Sequence, residues 1–206
     1  MTTLWWAFWI RVYFFGGALG VNLRRIVNGL QRLLNREPWW PRAPLPLFAT
    51  PGDVEDYIRG RFAWRKDGTR LGGLFLPLDY VTHPEVFQAQ LETEGGVDGD
   101  CDDHHFWVAT VLQTVPGVAW AHTLSCVWKG GGHTTCLYEH NGVIRLFNYR
   151  IGPAIVGTIT KKQAAAAAAL DVLAWANAKH AEDEPDVTKL TFWVLETTGQ
   201  RLVATG

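Results

Sequence analysis

The stretch "EPWWPRAPLPLFATP", residues 37–51, holds five prolines and limits everything else the chain can fold into. Proline has a fixed φ and no backbone N–H, so neither a helix nor a central strand runs through such a segment. Residues 37–50 therefore read as an extended linker between two separate parts. The two parts differ in texture. Five of the eleven tryptophans (Trp5, Trp6, Trp9, Trp39 and Trp40) fall within the first 40 residues. Residues 1–70 carry 11 Lys/Arg against 5 Asp/Glu, a net +6, whereas residues 71–206 carry 8 against 15, a net −7. The overall formal charge of −1 hides this asymmetry. A basic front and an acidic back argue against a general nucleic-acid binder. No zinc-finger, P-loop or dinucleotide fingerprint is present either.

Residues 1–36 read as one long hydrophobic to amphipathic helix. Apolar or small residues recur at Trp5, Trp9, Val12, Gly16, Leu19, Leu23, Ile26, Leu30 and Leu33, in alternating steps of four and three. As far as Val21 the opposite face is apolar too, broken only by Arg11. Beyond it that face turns polar and basic, with Asn22, Arg24, Arg25, Asn28, Arg32 and Arg36. A helix apolar all round belongs in protein or in lipid. Gly16 and Gly20 suit close helix contact in a membrane, and the basic residues behind them favour the cytoplasmic side. Against this, Arg11 costs about 2.5–3.5 kcal/mol near the centre of a bilayer. A membrane-spanning or membrane-surface helix and a helix buried in a larger assembly both fit. A cleaved secretory signal fits less well, because Arg11 interrupts the apolar run and no basic side chain precedes it. The location of the protein stays open between the cytoplasm, a membrane and a virus-like particle.

From Pro51 the pattern is that of a globular α+β domain, 51–206, and 48% hydrophobic content supports one sizeable core. "TPGDVEDYIRGRFAWRKD" is an amphipathic helix capped near Thr50 or Asp53. Residues 67–82 read as loop and short strand, and "HPEVFQAQLETEGG" as a short helix closing at Gly95–Gly96. A helix over 102–115 follows Cys101, with Val108, Ala109, Leu112 and Val115 along its apolar face and Pro116–Gly117 stopping it. Strands are expected at 118–128, 133–140 and 143–149, the last two joined by the hairpin signal Asn141-Gly142. A helix over 161–180 and one or two final strands complete an antiparallel sheet with helices. Three cysteines are too few for a disulfide framework, which favours a reducing compartment.

Function is concentrated in "GVDGDCDDHHFWVATVL", residues 97–113. Cys101 stands where a helix begins, facing backbone N–H groups and the positive end of the dipole. A thiolate is stabilised there, and the same N–H groups suit a developing oxyanion. Asp102 and Asp103 fit the first turn as caps, but their charge opposes the thiolate, so a nucleophile needs a basic partner from elsewhere. His133 follows the glycine turn "KGGG" at the start of a strand, where a hairpin returns it to the helix start. Asn148, 15 residues on, falls beside it across the hairpin. Cys, His and Asn in that order match what thiol acyl transfer requires.

These residues carry a resemblance. "GDCDD" followed by a helix, then "HTTCLYEHNGVIRLFN", resembles the core of the transglutaminase-like cysteine peptidases. "PGDVEDYIRGRFAWRKD" and "LDYVTHPEVFQAQLETEGGVDGDC" resemble their lead-in. The likeness covers residues 50–152. It implies a papain-like core that forms a thioester with a peptide, isopeptide or glutamine acyl group. In that scheme Cys101 is the nucleophile, His133 the base and Asn148 the orienting residue. The family more often has Asp at the last position; Asn still orients the ring but stabilises an imidazolium less. Nothing resembles an acyl-acceptor site or a calcium-regulated domain, so hydrolysis is expected over transfer, with no cofactor.

Other readings stand beside this one. A metal site drawn from Cys101, Asp102, His104, His105, His133 and Cys136 is disfavoured, since consecutive helix residues diverge and His133 and Cys136 face opposite sides of a strand. His104 and His105 read as helix surface or cleft lining, Cys126 and Cys136 as core, and Ala164–Ala169 as helix-forming sequence. A different class of function is a structural component of a phage or phage-like particle. The fold would then serve without turnover, and the first helix would be the assembly or membrane element.

Overall fold

The computed structural model describes residues 41–64, 69–71, 74–76, 82–93, 96–128, 131–155, 161–179, 191–196 and 202–205. The expected helix 1–36 lies outside the described residues, as do the first residues of the linker and Lys129–Gly130 of the glycine turn.

The described end of the linker has no helix or strand through residue 48, as its prolines demand. It is nonetheless docked. Ala43 is buried and its N–H donates to the Glu85 carbonyl at 3.0 Å, while the Phe48 ring meets Tyr57 edge-on at 5.3 Å. Helix α1, Pro51–Ile58, begins as the sequence requires. Thr50 is its N-cap, Asp53 closes the reciprocal capping box, and Pro51 occupies the first turn, where its missing N–H costs nothing.

Strand β1, Phe62–Trp64, pairs in parallel with β4, Val97–Gly99, and β2, Thr69–Leu71, forms a hairpin with β3, Leu74–Leu76. Between them lies α2, Pro84–Leu91. Helix α3, Cys101–Leu112, follows β4 with only Asp100 intervening. It is shorter than expected at its C-terminal end. Pro116 disfavours helical backbone at Val115, and the chain tightens through Thr114 N–H to Val111 O and Val115 N–H to Leu112 O.

The main sheet has six antiparallel strands: β5 Val118–Trp128, β6 Gly131–His140, β7 Val143–Phe147, β8 Ile151–Ala154, β9 Thr191–Glu196 and β10 Leu202–Thr205. Their order is β10-β9-β5-β6-β7-β8. Asn141 and Gly142 turn β6 into β7 with φ of 52° and 77°, the pair of positive values that a tight two-residue hairpin needs. Strand β7 stops at Phe147, so Asn148 lies in the turn to β8 and not on a strand.

The sheet separates two apolar layers. On one face, Trp107, Val108, Ala109, Val111 and Leu112 of α3 join Val54, Ile58, Phe87 and Leu91 of α1 and α2 against Ala121, Cys136, Tyr138 and Phe147. On the other, helix α4, Lys161–Lys179, buries Ala164, Ala165, Ala168, Ala169 and Val172 against Leu124, Cys126, Leu137, Leu146, Phe192 and Val194. Each large apolar side chain fully buried contributes about 1.5–3 kcal/mol, so α3 is firmly seated on the sheet. The alanine run is more than a helix former: four of its six residues are core. A largely buried polar network ties α1, α2 and α3 together. Gln88 Nε2–H groups donate to Tyr57 Oη at 2.7 Å and Glu92 Oε1 at 2.8 Å, and Trp107 Nε1–H donates to Gln88 Oε1 at 3.2 Å. The architecture is α+β.

Candidate active site

The position of Cys101 is built from the β1–β4 pair. Val97 N–H donates to Arg61 O at 2.8 Å, opening the ladder. Gly96 makes this approach possible: its φ is +78°, and a Cβ there would stand 2.0 Å from Arg61 O. Three residues of β4 then deliver the chain to Asp100, the N-cap, whose Oδ1 accepts from Asp102 N–H at 3.1 Å. Cys101 is thus the first residue of α3, half-buried. Asp103 is buried and accepts from Thr82 N–H, which ties the approach to α2 to this same turn. Gly99 gives Asp103 room, since a Cβ on it would lie 3.0 Å from the carboxylate. Asp100, Asp102 and Asp103 bring carboxylate oxygens within 4.8 Å of one another, but each holds a backbone N–H.

His133 and Asn148 come to this turn from the sheet. His133 is the third residue of β6, not its first, and is 6% exposed. Its Nε2–H donates to Asn148 Oδ1 at 2.8 Å. That tautomer leaves the lone pair on Nδ1. The next residue, Thr134, donates its N–H to Cys101 Sγ at 3.4 Å, which sets the sulfur against the start of β6. The β6–β7 ladder ends at Cys136↔Phe147, two residues beyond Thr134, where the chain leaves β7. The turn that follows is closed by Asn148 N–H to Arg150 O at 2.9 Å, and Ile151 N–H donates to the Glu55 carboxylate at 2.9 Å.

Two histidines expected on the helix surface or in the cleft are instead interior. His104 is 2% exposed and His105 is 0% exposed. The His105 ring accepts Tyr149 N–H at Nε2, 3.2 Å, and its Nδ1 is 2.6 Å from Cys101 O. Because the Tyr149 amide can only donate, Nδ1 carries the proton and donates to Cys101 O. The Tyr149 ring lies 4.8 Å from His105, 4.9 Å from His104 and 5.7 Å from His133, with Phe62 stacked at 5.9 Å. Burial, reinforced by His133, lowers the His104 pKa to about 3. Burial, then His104 and His133, also holds His105 well below the usual histidine range, with its bond to Cys101 O opposing. Burial pushes the Tyr149 hydroxyl up, helped by the negative charge of Cys101, Asp100 and Asp102.

The other two cysteines lie in the core as expected and are free thiols. Burial pushes Cys126 up to about 12 and Cys136 higher still, so both stay protonated at neutral pH. One expectation needs correction. The N–H groups of Asp102, Asp103 and His104 are already engaged, with Asp100 Oδ1, Asp102 Oδ1 and Asp100 O. None of these three can serve an oxyanion without giving up its cap.

The structure therefore brings Cys101, His133 and Asn148 to one place, from the start of a helix, the start of a strand and the turn after a strand. No family model matches the chain, and neither a curated protein nor a solved structure matches it. Among the described residues no helix is long and apolar enough to cross a membrane.

Proposed function

We propose that residues 51–206 form a transglutaminase-like thiol hydrolase with a papain-like arrangement, acting on a peptide, isopeptide or glutamine amide through Cys101, His133 and Asn148. The observation that carries this is the chain of contacts from Asn148 Oδ1 to His133 Nε2 at 2.8 Å and from Thr134 N–H to Cys101 Sγ at 3.4 Å. Asn148 holds the imidazole in the tautomer whose Nδ1 is basic, and His133 takes the Cys101 proton. The thiolate, helped by the Thr134 N–H and by the start of α3, attacks the amide carbonyl. His133 returns its proton to the departing amine. Water, activated by the same ring, then cleaves the thioester. Cys126 and Cys136, buried and protonated, take no part.

The test is turnover of blocked glutamine peptides and of unfolded protein substrate, read as released ammonia and as new amino termini. Cys101→Ala removes all turnover, and His133→Ala lowers it by about 10³-fold or more, as in other nucleophile–base pairs. Turnover that survives Cys101→Ala contradicts the reading.

A further inference from the structure

We propose that His105 is a positioning residue for the thiol site: its neutral imidazole clamps the Asn148–Tyr149 turn to the first turn of α3 and so sets His133 against Cys101. The inference rests on the thiol-hydrolase reading and deepens it. Three elements separated by 32 and 15 residues of chain must meet for His133 and Asn148 to serve Cys101. The sheet fixes β6, but Asn148 belongs to a turn beyond the last β6–β7 pair, Cys136↔Phe147. His105 spans that gap. One nitrogen holds the carbonyl of Cys101 itself at 2.6 Å, and the other holds the backbone N–H of the residue after Asn148 at 3.2 Å. The ring is wholly buried, and its centroid is 5.7 Å from that of His133.

The clamp works in one protonation state only. A protonated ring has no lone pair for the Tyr149 N–H, and it would set a second cation beside the imidazolium that His133 becomes on taking the thiol proton. The groups around it keep it neutral. His104, His133 and the Tyr149 ring pack on it, Phe147 closes another side at 6.4 Å, and the carboxylates of Asp100, Asp102 and Asp103 at the start of α3 each accept a backbone N–H. A phenylalanine would fill the same volume without either hydrogen bond. A glutamine offers an N–H donor and an oxygen acceptor in one planar group, as the imidazole does.

The experiment compares the full-length protein with His105→Gln and His105→Phe by the pH dependence of iodoacetamide alkylation at Cys101, alongside thermal unfolding. With the clamp, His105→Gln keeps the wild-type midpoint. His105→Phe raises it by about one pH unit or more, a tenfold loss of thiolate at fixed pH below the midpoint. A role in packing alone would move the unfolding temperature and leave the midpoint in place. A His105→Phe midpoint equal to that of wild type overturns the proposal, as does a His105→Gln shift as large as that of His105→Phe. Should His105→Phe not fold, the ¹⁵N shifts of His105 in the wild-type chain decide. The proposal requires the neutral Nδ1–H form from pH 8 to pH 5, and titration near the ordinary value of about 6.5 overturns it. A wild-type Cys101 that alkylates as an ordinary thiol fails the thiol-hydrolase reading and this proposal together. A depressed wild-type midpoint that His105→Phe does not move fails this proposal alone.

Discussion

Tyr149 sits at φ +59°, a left-handed conformation that costs an aromatic residue roughly 1–2 kcal/mol. The cost is offset by its N–H bond to His105 and by its ring packing on His104, His105, His133 and Phe62. The residue before it, Asn148, accepts the His133 Nε2–H bond at 2.8 Å from this same turn. Asn148→Ala is expected to lower turnover by about 10²-fold or more through loss of ring orientation, whereas Asn148→Asp keeps the acceptor and retains activity; a steady-state kcat/KM series checks both. His104 gives a stability prediction. Folded, it stays neutral down to about 3; unfolded, it takes a proton near 6.5, so the unfolded chain binds more protons between those values. Its stability contribution is therefore complete above about pH 6.5 and is lost as pH falls toward 3. Between pH 7 and pH 5 one such histidine costs about 2 kcal/mol. Urea unfolding of His104→Phe at the two pH values should show the wild-type loss reduced by about that amount.

At the scale of elements, the placement of Cys101 depends on one close approach between backbones. Gly96 carries both a positive φ and a neighbour, Arg61 O, that any Cβ would strike. Gly96→Ala is expected to destabilise the fold by more than about 2 kcal/mol and to slow Cys101 alkylation, because the β1–β4 pair aims the chain into α3. Chemical denaturation and the alkylation rate check the two effects separately. Gly142→Ala, at φ +77° with open space around it, should cost only about 1 kcal/mol and leave alkylation unchanged. Much of this layout is legible in the chain. The Gly-Asp-Cys-Asp-Asp run marks a helix start, the Asn141-Gly142 pair marks a hairpin, and together they place His133 and Asn148 side by side. The role of His105 is not legible, because two consecutive histidines at a helix start do not reveal which one a distant turn will meet. The six alanines of 164–169 carry no periodicity, so their buried positions emerge only once α4 meets the sheet. The linker's prolines forecast extended chain, but its docking through Ala43 and Phe48 depends on partners far along the sequence.

The whole molecule places one half-buried cysteine, Cys101, where α3 meets the sheet while sealing the other two in its cores. Helix α3 and the sheet form a rigid frame, and the β7–β8 turn completes the site across their common edge. Every functional prediction above depends on Cys101 and His133 acting as one pair. The direct measurement is the rate of iodoacetamide alkylation at Cys101 from pH 5 to pH 9, in the wild-type chain and in His133→Ala. The account predicts that the wild-type thiol reacts well below pH 8. In His133→Ala the reaction should rise only toward the ordinary thiol value of about 8.5. A wild-type profile centred near that ordinary value and unchanged by His133→Ala would contradict it.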